Sequence, residues 1–107
     1  KYRPWIDFDN LPFYGRGAGW QRQLHIYECP FYYIDYCLST MAALQFFLLS
    51  LHDQKDAWER YLRLVRRAGT ASYTELCETA GLQVPFNAGS IKAIAQQMSQ
   101  WIAEHQV

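Results

Sequence analysis

The stretch PFYYIDYCLSTMAALQFFLLSLH, residues 30–52, decides the fold. Within it Ile34, Leu38, Met41, Leu44, Leu48 and Leu51 recur at steps of three and four, the repeat of one helix face. Phe46, Phe47 and Leu49 fill the opposite side. The spacing therefore predicts a helix from Phe31 to about His52 that is apolar nearly all round, which is the pattern of a buried, central helix with neighbours on several sides. Pro30 suits its start, where a missing N–H has no helical acceptor to lose. A membrane span is rejected. Asp35, Ser39, Thr40, Gln45 and Ser50 interrupt the run, and a charged side chain near mid-bilayer costs about 2.5–3.5 kcal/mol.

Downstream, helix punctuation continues. Asp53 can cap a helix from about Lys55 to Ala68, with Trp58, Tyr61, Leu62 and Val65 as its inward stripe. Arg60, Arg63, Arg66 and Arg67 fall outside that stripe, and the last two suit the negative helix end. Gly69 offers a left-handed stop. Ser72-Tyr-Thr-Glu75 is a capping box opening a short helix to Ala80, which Gly81 ends. Pro85 marks a turn. Asn87 or Ser90 then starts a last helix to about His105, with a stripe of Ile91, Ile94, Ala95, Met98, Trp101 and Ile102. No strand alternation or internal repeat is present. The expected fold class is all-α.

Upstream the pattern is different. Residues 1–24 hold Pro4, Pro12, Gly15, Gly17 and Gly19 among Trp5, Phe8, Phe13, Tyr14 and Trp20. They read as an irregular aromatic and Gly-rich segment, ordered only if its rings pack, since backbone ordering costs about 1–2 kcal/mol per residue. The chain then divides into this segment and a helical part, 25–107, of a single unit. The run Gly15-Arg-Gly-Ala-Gly19 has no preceding strand and no Gly-Lys-Ser/Thr ending, so it reads as close backbone approach rather than a phosphate loop.

The 107 residues suffice for one small domain. Ten Lys and Arg balance ten Asp and Glu. A neutral chain lacks the basic surplus of a general nucleic-acid binder or a polybasic membrane-surface module. The chain opens on nothing that resembles a signal peptide. Cys29, Cys37 and Cys77 make an odd set, which fits a reducing, cytoplasmic setting better than a disulfide framework.

Motifs for chemistry are sparse. There is no His-Glu-x-x-His, and His25, His52 and His105 are too scattered to frame a metal site. His25, Cys29 and Cys37 lack the tight spacing of zinc ligands, so the cysteines read as small buried apolar groups. No metal-ligating residue is expected in this chain. No Gly-x-Ser-x-Gly or supported Cys–His pair is present. Glu28 and Asp35 form an isolated acid pair, and Asp35 reads as a partner for its own helix N-terminus. The tyrosines stand apart. Tyr32 and Tyr36 are four apart and Tyr33 and Tyr36 three apart, so on a helix Tyr36 shares a surface with either. With His25 upstream they concentrate neutral hydrogen-bond donors, which suit the oxyanion formed when water adds to a carbonyl. The structural alternative is core packing with satisfied hydroxyls.

The string Trp20-x-x-Gln23-x-His25-Ile-x-x-x-Pro30-Phe-Tyr-Tyr-Ile-Asp-Tyr36, followed by Ala43-Leu-Gln-Phe46, resembles the C-terminal catalytic segment of oligoendopeptidase F-type zinc metallopeptidases, relatives of thimet oligopeptidase. Ala80-Gly-Leu-Gln-Val-Pro-Phe86 continues the likeness more loosely. The resemblance implies the helical C-terminal portion of a larger bowl-shaped peptidase domain that hydrolyses short peptides. It implies zinc in the parent enzyme, held by residues absent from this chain. It gives His25 and Tyr36 transition-state-stabilising roles, and Tyr32 and Tyr33 substrate-binding ones. The thimet-type pattern spaces its histidine and tyrosine one residue further apart, with more glycine between, where this chain has Glu28-Cys29-Pro30. The isolated residues are expected to be inactive. Their partners are expected to be the remainder of the catalytic domain, or a second copy, through the exposed aromatic face. The competing reading is a stand-alone helical interaction module; a remnant that folds without function is a weaker third.

Overall fold

The computed structural model describes residues 5–8 and 10–105. Among them there are helices and no strands, so the chain is all-α as expected. A 3-10 turn spans Ala18–Arg22, followed by α1 (His25–Glu28), α2 (Ile34–His52), α3 (Gln54–Arg67), α4 (Tyr73–Ala80) and α5 (Ser90–Glu104). The chain divides into two compact units, 1–34 and 35–107.

In the larger unit, local chemistry sets the helix ends. The Asp53 carboxylate accepts the Lys55 and Asp56 N–H groups at 2.9 and 3.0 Å, which opens α3. The capping box is complete at α4: Glu75 N–H donates to Ser72 Oγ, and Glu75 Oε2 accepts the Ser72 N–H at 2.8 Å. Gly69 and Gly81 sit at φ 77 and 68, left-handed stops that a β-carbon disfavours. The core gathers Cys77, Ala80 and Leu82, against which Ala42, Phe46, Leu49, Leu64, Tyr73 and Val84 pack. α5 joins through Ile94, which is buried, and through Trp101, edge-on to Phe47 at 4.9 Å.

Four expectations need correction. The helix begins at Ile34, not Phe31, because residues 29–33 form a turn. α2 is not covered on all sides: Gln45 is its buried residue, and its N-terminal half is largely open. By length and composition alone, α2 is also the one described helix able to cross a membrane, yet its C-terminal half contributes Phe46 and Leu49 to the core. The inward face of α3 is rotated from its expected stripe. Ala57 and Leu64 face the core, whereas Trp58, Tyr61 and Val65 are 59%, 42% and 45% exposed. Of the cysteines, only Cys77 is buried.

In the smaller unit the glycines serve packing. A β-carbon at Gly15 would lie 2.9 Å from the Leu11 carbonyl oxygen, and one at Gly19 3.2 Å from the Tyr14 ring. Tyr14 stacks on Phe8 at 6.0 Å, meets Phe13 edge-on at 5.3 Å, and lies 5.8 Å beneath the Arg22 guanidinium. The glycine run thus lets an aromatic cluster close.

Candidate functional site

Three of the four residues singled out in the sequence lie around one turn. α1 is a single helical turn whose last residue, Glu28, donates its N–H to the Leu24 carbonyl at 2.9 Å. It stops because Cys29 precedes proline, where helical backbone clashes with the ring, and Cys29 adopts φ −136. Pro30 holds the second position of the turn that follows, Phe31 takes φ 71 at the third, and Tyr32 N–H closes it on the Cys29 carbonyl at 3.1 Å. This is a type II pattern, whose third position usually holds glycine or asparagine. Phe31 is 92% exposed.

The turn folds the tyrosines back onto α1. The His25 imidazole stacks on Tyr32, with centroids 5.9 Å apart and planes at 11°, and meets Tyr33 at 5.4 Å and 57°. Its Nδ1 is closed off from solvent. Both tyrosines are about half exposed. The expected helical spacing of Tyr32 and Tyr33 with Tyr36 does not apply, because neither residue is helical. Chain reversal, not helix periodicity, assembles the histidine with its two tyrosines.

Tyr36 lies in the other unit, on the first turn of α2, also half exposed. Its carbonyl accepts the Ser39 and Thr40 hydroxyls at 3.1 and 2.6 Å, which anchors the opening of the helix. Asp35 sits in the same first turn, where a carboxylate favours the positive end of the helix dipole.

A feature with no counterpart in the sequence pattern is a further stacked pair in the smaller unit, Trp20 and Tyr27, with centroids 6.3 Å apart and planes at 21°. Both rings are more than half exposed. Their separation of seven residues was the available signal, but it bridges a 3-10 turn and α1 and follows no single helical repeat. Among the described residues, no three His, Cys, Asp or Glu side chains gather where they could hold a metal ion.

No protein-family model matches the chain, and no curated protein matches it. Two solved structures do. A protein assigned as oligoendopeptidase F superposes with a TM-score of 0.89 and 38% identity. PZ peptidase A, solved with an inhibitor, superposes with a TM-score of 0.89 and 39% identity. In each case the match covers 98% of this chain and 19% of the other, so the chain spans about a fifth of the neighbours' length. Over nearly its whole length, then, the chain matches a segment of oligoendopeptidase F-type peptidases in both sequence and fold.

Proposed function

We propose that this chain is the donor-bearing C-terminal part of a zinc-dependent oligoendopeptidase that hydrolyses peptide bonds in short peptides. The observation that carries the reading is the His25–Tyr32–Tyr33 cluster, formed in a chain whose structural neighbours are peptidases. His25 and Tyr36 donate hydrogen bonds to the oxygen that becomes negative as the carbonyl turns tetrahedral, and such donors act most strongly where water is excluded. Tyr32 and Tyr33 hold the peptide. Their phenols are neutral donors on rigid, largely apolar rings, suited to backbone carbonyls and side chains alike.

In this reading the ligands of the zinc ion and the general base belong to the part of the enzyme outside this chain. Zinc bound there would supply Lewis-acid chemistry, while His25, Tyr32, Tyr33 and Tyr36 bind and orient. The setting consistent with three unpaired thiols is the cytoplasm. The test compares the 107 residues alone with a polypeptide that joins them to the preceding peptidase sequence. The longer polypeptide should cleave a short internally quenched peptide and lose that activity to a chelator, whereas the isolated chain should not cleave it even with added zinc. Zinc-dependent cleavage by the isolated chain that survives repurification would refute the assignment.

A second reading has its own support. Trp5, Trp20 and Phe31 are 76%, 53% and 92% exposed, the surface expected of a helical interaction module. That module would bind a partner with no peptidase sequence attached. An inactive longer polypeptide that still engages a partner through these rings would favour it.

A further inference from the structure

The face of α3 that the sequence marks as inward is open. Trp58 stacks on Tyr61 at 5.4 Å and 27°, and Phe46 of α2 meets Tyr61 edge-on at 5.6 Å and 87°. These rings, with Ala57 and Lys55, line an open cleft of about 860 Å³ where the end of α2 meets the start of α3. At 100° per residue, Trp58, Tyr61, Leu62 and Val65 fall within one stripe roughly 100° wide, the width by which a helix normally buries itself. Lys55, Arg66 and Arg63 follow along one edge of that stripe, with Glu59 among them, giving three bases to one acid. Arg60, on the other edge, is already paired with Asp56.

We propose that this cleft seats an amphipathic helix with an acidic flank, supplied by the part of the peptidase that lies outside this chain. The inference rests on the proposed function for the source of the helix. Three observations support it. The cleft is concave and aromatic-walled, which suits a helix laid into a groove better than a flat lipid surface. The cleft's own acid, Asp53, is engaged in capping α3, and the edge of the α3 stripe that runs on from the cleft is basic through Lys55, Arg63 and Arg66, so an acidic flank is complementary. About four fifths of each structural neighbour lies beyond the matched segment, so polypeptide is available to cover it.

The test uses the 107-residue chain and a labelled 20-residue helical peptide carrying a leucine stripe with glutamate along one flank. The control peptide has lysine in place of glutamate, and anionic phosphatidylserine vesicles form a third arm. The glutamate peptide should bind at least about tenfold more tightly than the lysine peptide at low salt, and the gap should narrow as salt screens the edge. Trp58→Ala and Tyr61→Ala should each weaken binding at least about tenfold, the scale of an aromatic anchor. Arg66→Glu, an exposed change that spares the fold, should shrink or reverse the charge preference. His25→Ala should bind normally, which separates this face from the site: a failure here leaves cleavage untouched, and a failure of cleavage leaves this binding intact. In the longer polypeptide, a photoreactive benzoylphenylalanine replacing Tyr61 should cross-link within the same molecule to a helix outside residues 1–107. No binding of the glutamate peptide, equal binding of both peptides, binding to vesicles alone, or cross-links only between molecules would overturn the proposal.

Discussion

The side-chain amide of Gln45 pairs with the backbone of Gln83 in both directions: its Oε1 accepts the Gln83 N–H at 2.7 Å, and its Nε2 donates to the Gln83 carbonyl at 3.1 Å. Nε2 also reaches the Met41 carbonyl at 3.3 Å. Gln45 belongs to the Ala43-Leu-Gln-Phe46 motif, and Gln83 to the Ala80–Phe86 segment. The two stretches that carry the later part of the family likeness are thus tied by one buried amide. An apolar replacement leaves the Gln83 backbone groups without these partners. Gln45→Leu should therefore cost about 1–3 kcal/mol, read as a lower urea midpoint. An unchanged midpoint would show that the pair contributes nothing.

Alkali should destabilise the larger unit through Tyr73 and Cys77. Burial pushes the Tyr73 phenol well above its usual range, reinforced by its bond to Cys77, and burial also raises the Cys77 thiol. Both groups stay protonated in the folded chain at a pH where the unfolded chain loses its protons. Stability is then fully present below about pH 9, the ordinary thiol range, and falls as pH rises through 9 and 10. Tyr73→Phe loses the hydrogen bond to the Leu38 carbonyl, 2.8 Å long. It should lower stability by about 1 kcal/mol at pH 7 and flatten the alkaline decline, measured by urea unfolding between pH 7 and 11. A decline of the same steepness in the variant would assign it to other groups.

Gly81 ends α4 at φ 68, where a β-carbon would run into Nη1 of Arg60. That guanidinium reaches the Ala80 and Gly81 carbonyls at 3.5 Å, so it helps close the helix end. Gly81→Ala should cost roughly 1–2 kcal/mol for the left-handed backbone, with a further loss if Arg60 is displaced. Thermal unfolding of Gly81→Ala beside Gly69→Ala checks this, since Gly69 has the same φ sign and open space around it. A Gly69 variant as unstable as the Gly81 variant would remove the role given to Arg60.

What the sequence made legible was local. The Asp53 cap, the Ser72–Glu75 box and the glycine stops each act within a few residues, so their signals survive without tertiary context. The face of α3 was misassigned because a stripe specifies an apolar side and not which of its edges meets the core. Here Ala57 and Leu64, at one edge, take the contact, and the larger rings are left open. The candidate site residues stand out by type and by resemblance, but the turn that brings His25, Tyr32 and Tyr33 together does not. Cys29-Pro30 was the available signal of a helix break; an aromatic residue in a left-handed turn position gives none. Phe31 is that residue, and it turns a supposed continuous helix into the reversal that stacks Tyr32 on His25.

The proposed function gives Tyr32 and Tyr33 peptide binding rather than contact with the reacting carbonyl. In the active longer polypeptide, Tyr32→Phe keeps the ring on His25 and removes only the hydroxyl. KM should rise about fivefold, the worth of one hydrogen bond near 1 kcal/mol, while kcat stays within about twofold. A loss confined to kcat would move Tyr32 to the reacting oxygen.

The most direct test of the account is the steady-state cleavage of a short internally quenched peptide by the longer polypeptide and its His25→Ala variant. Loss of one oxyanion donor predicts a fall in kcat of about 100- to 1000-fold with KM changed little, in a protein whose zinc content is unchanged. A kcat within a few-fold of the parent would contradict the placement of His25 at the reacting carbonyl, and with it the function proposed for this chain.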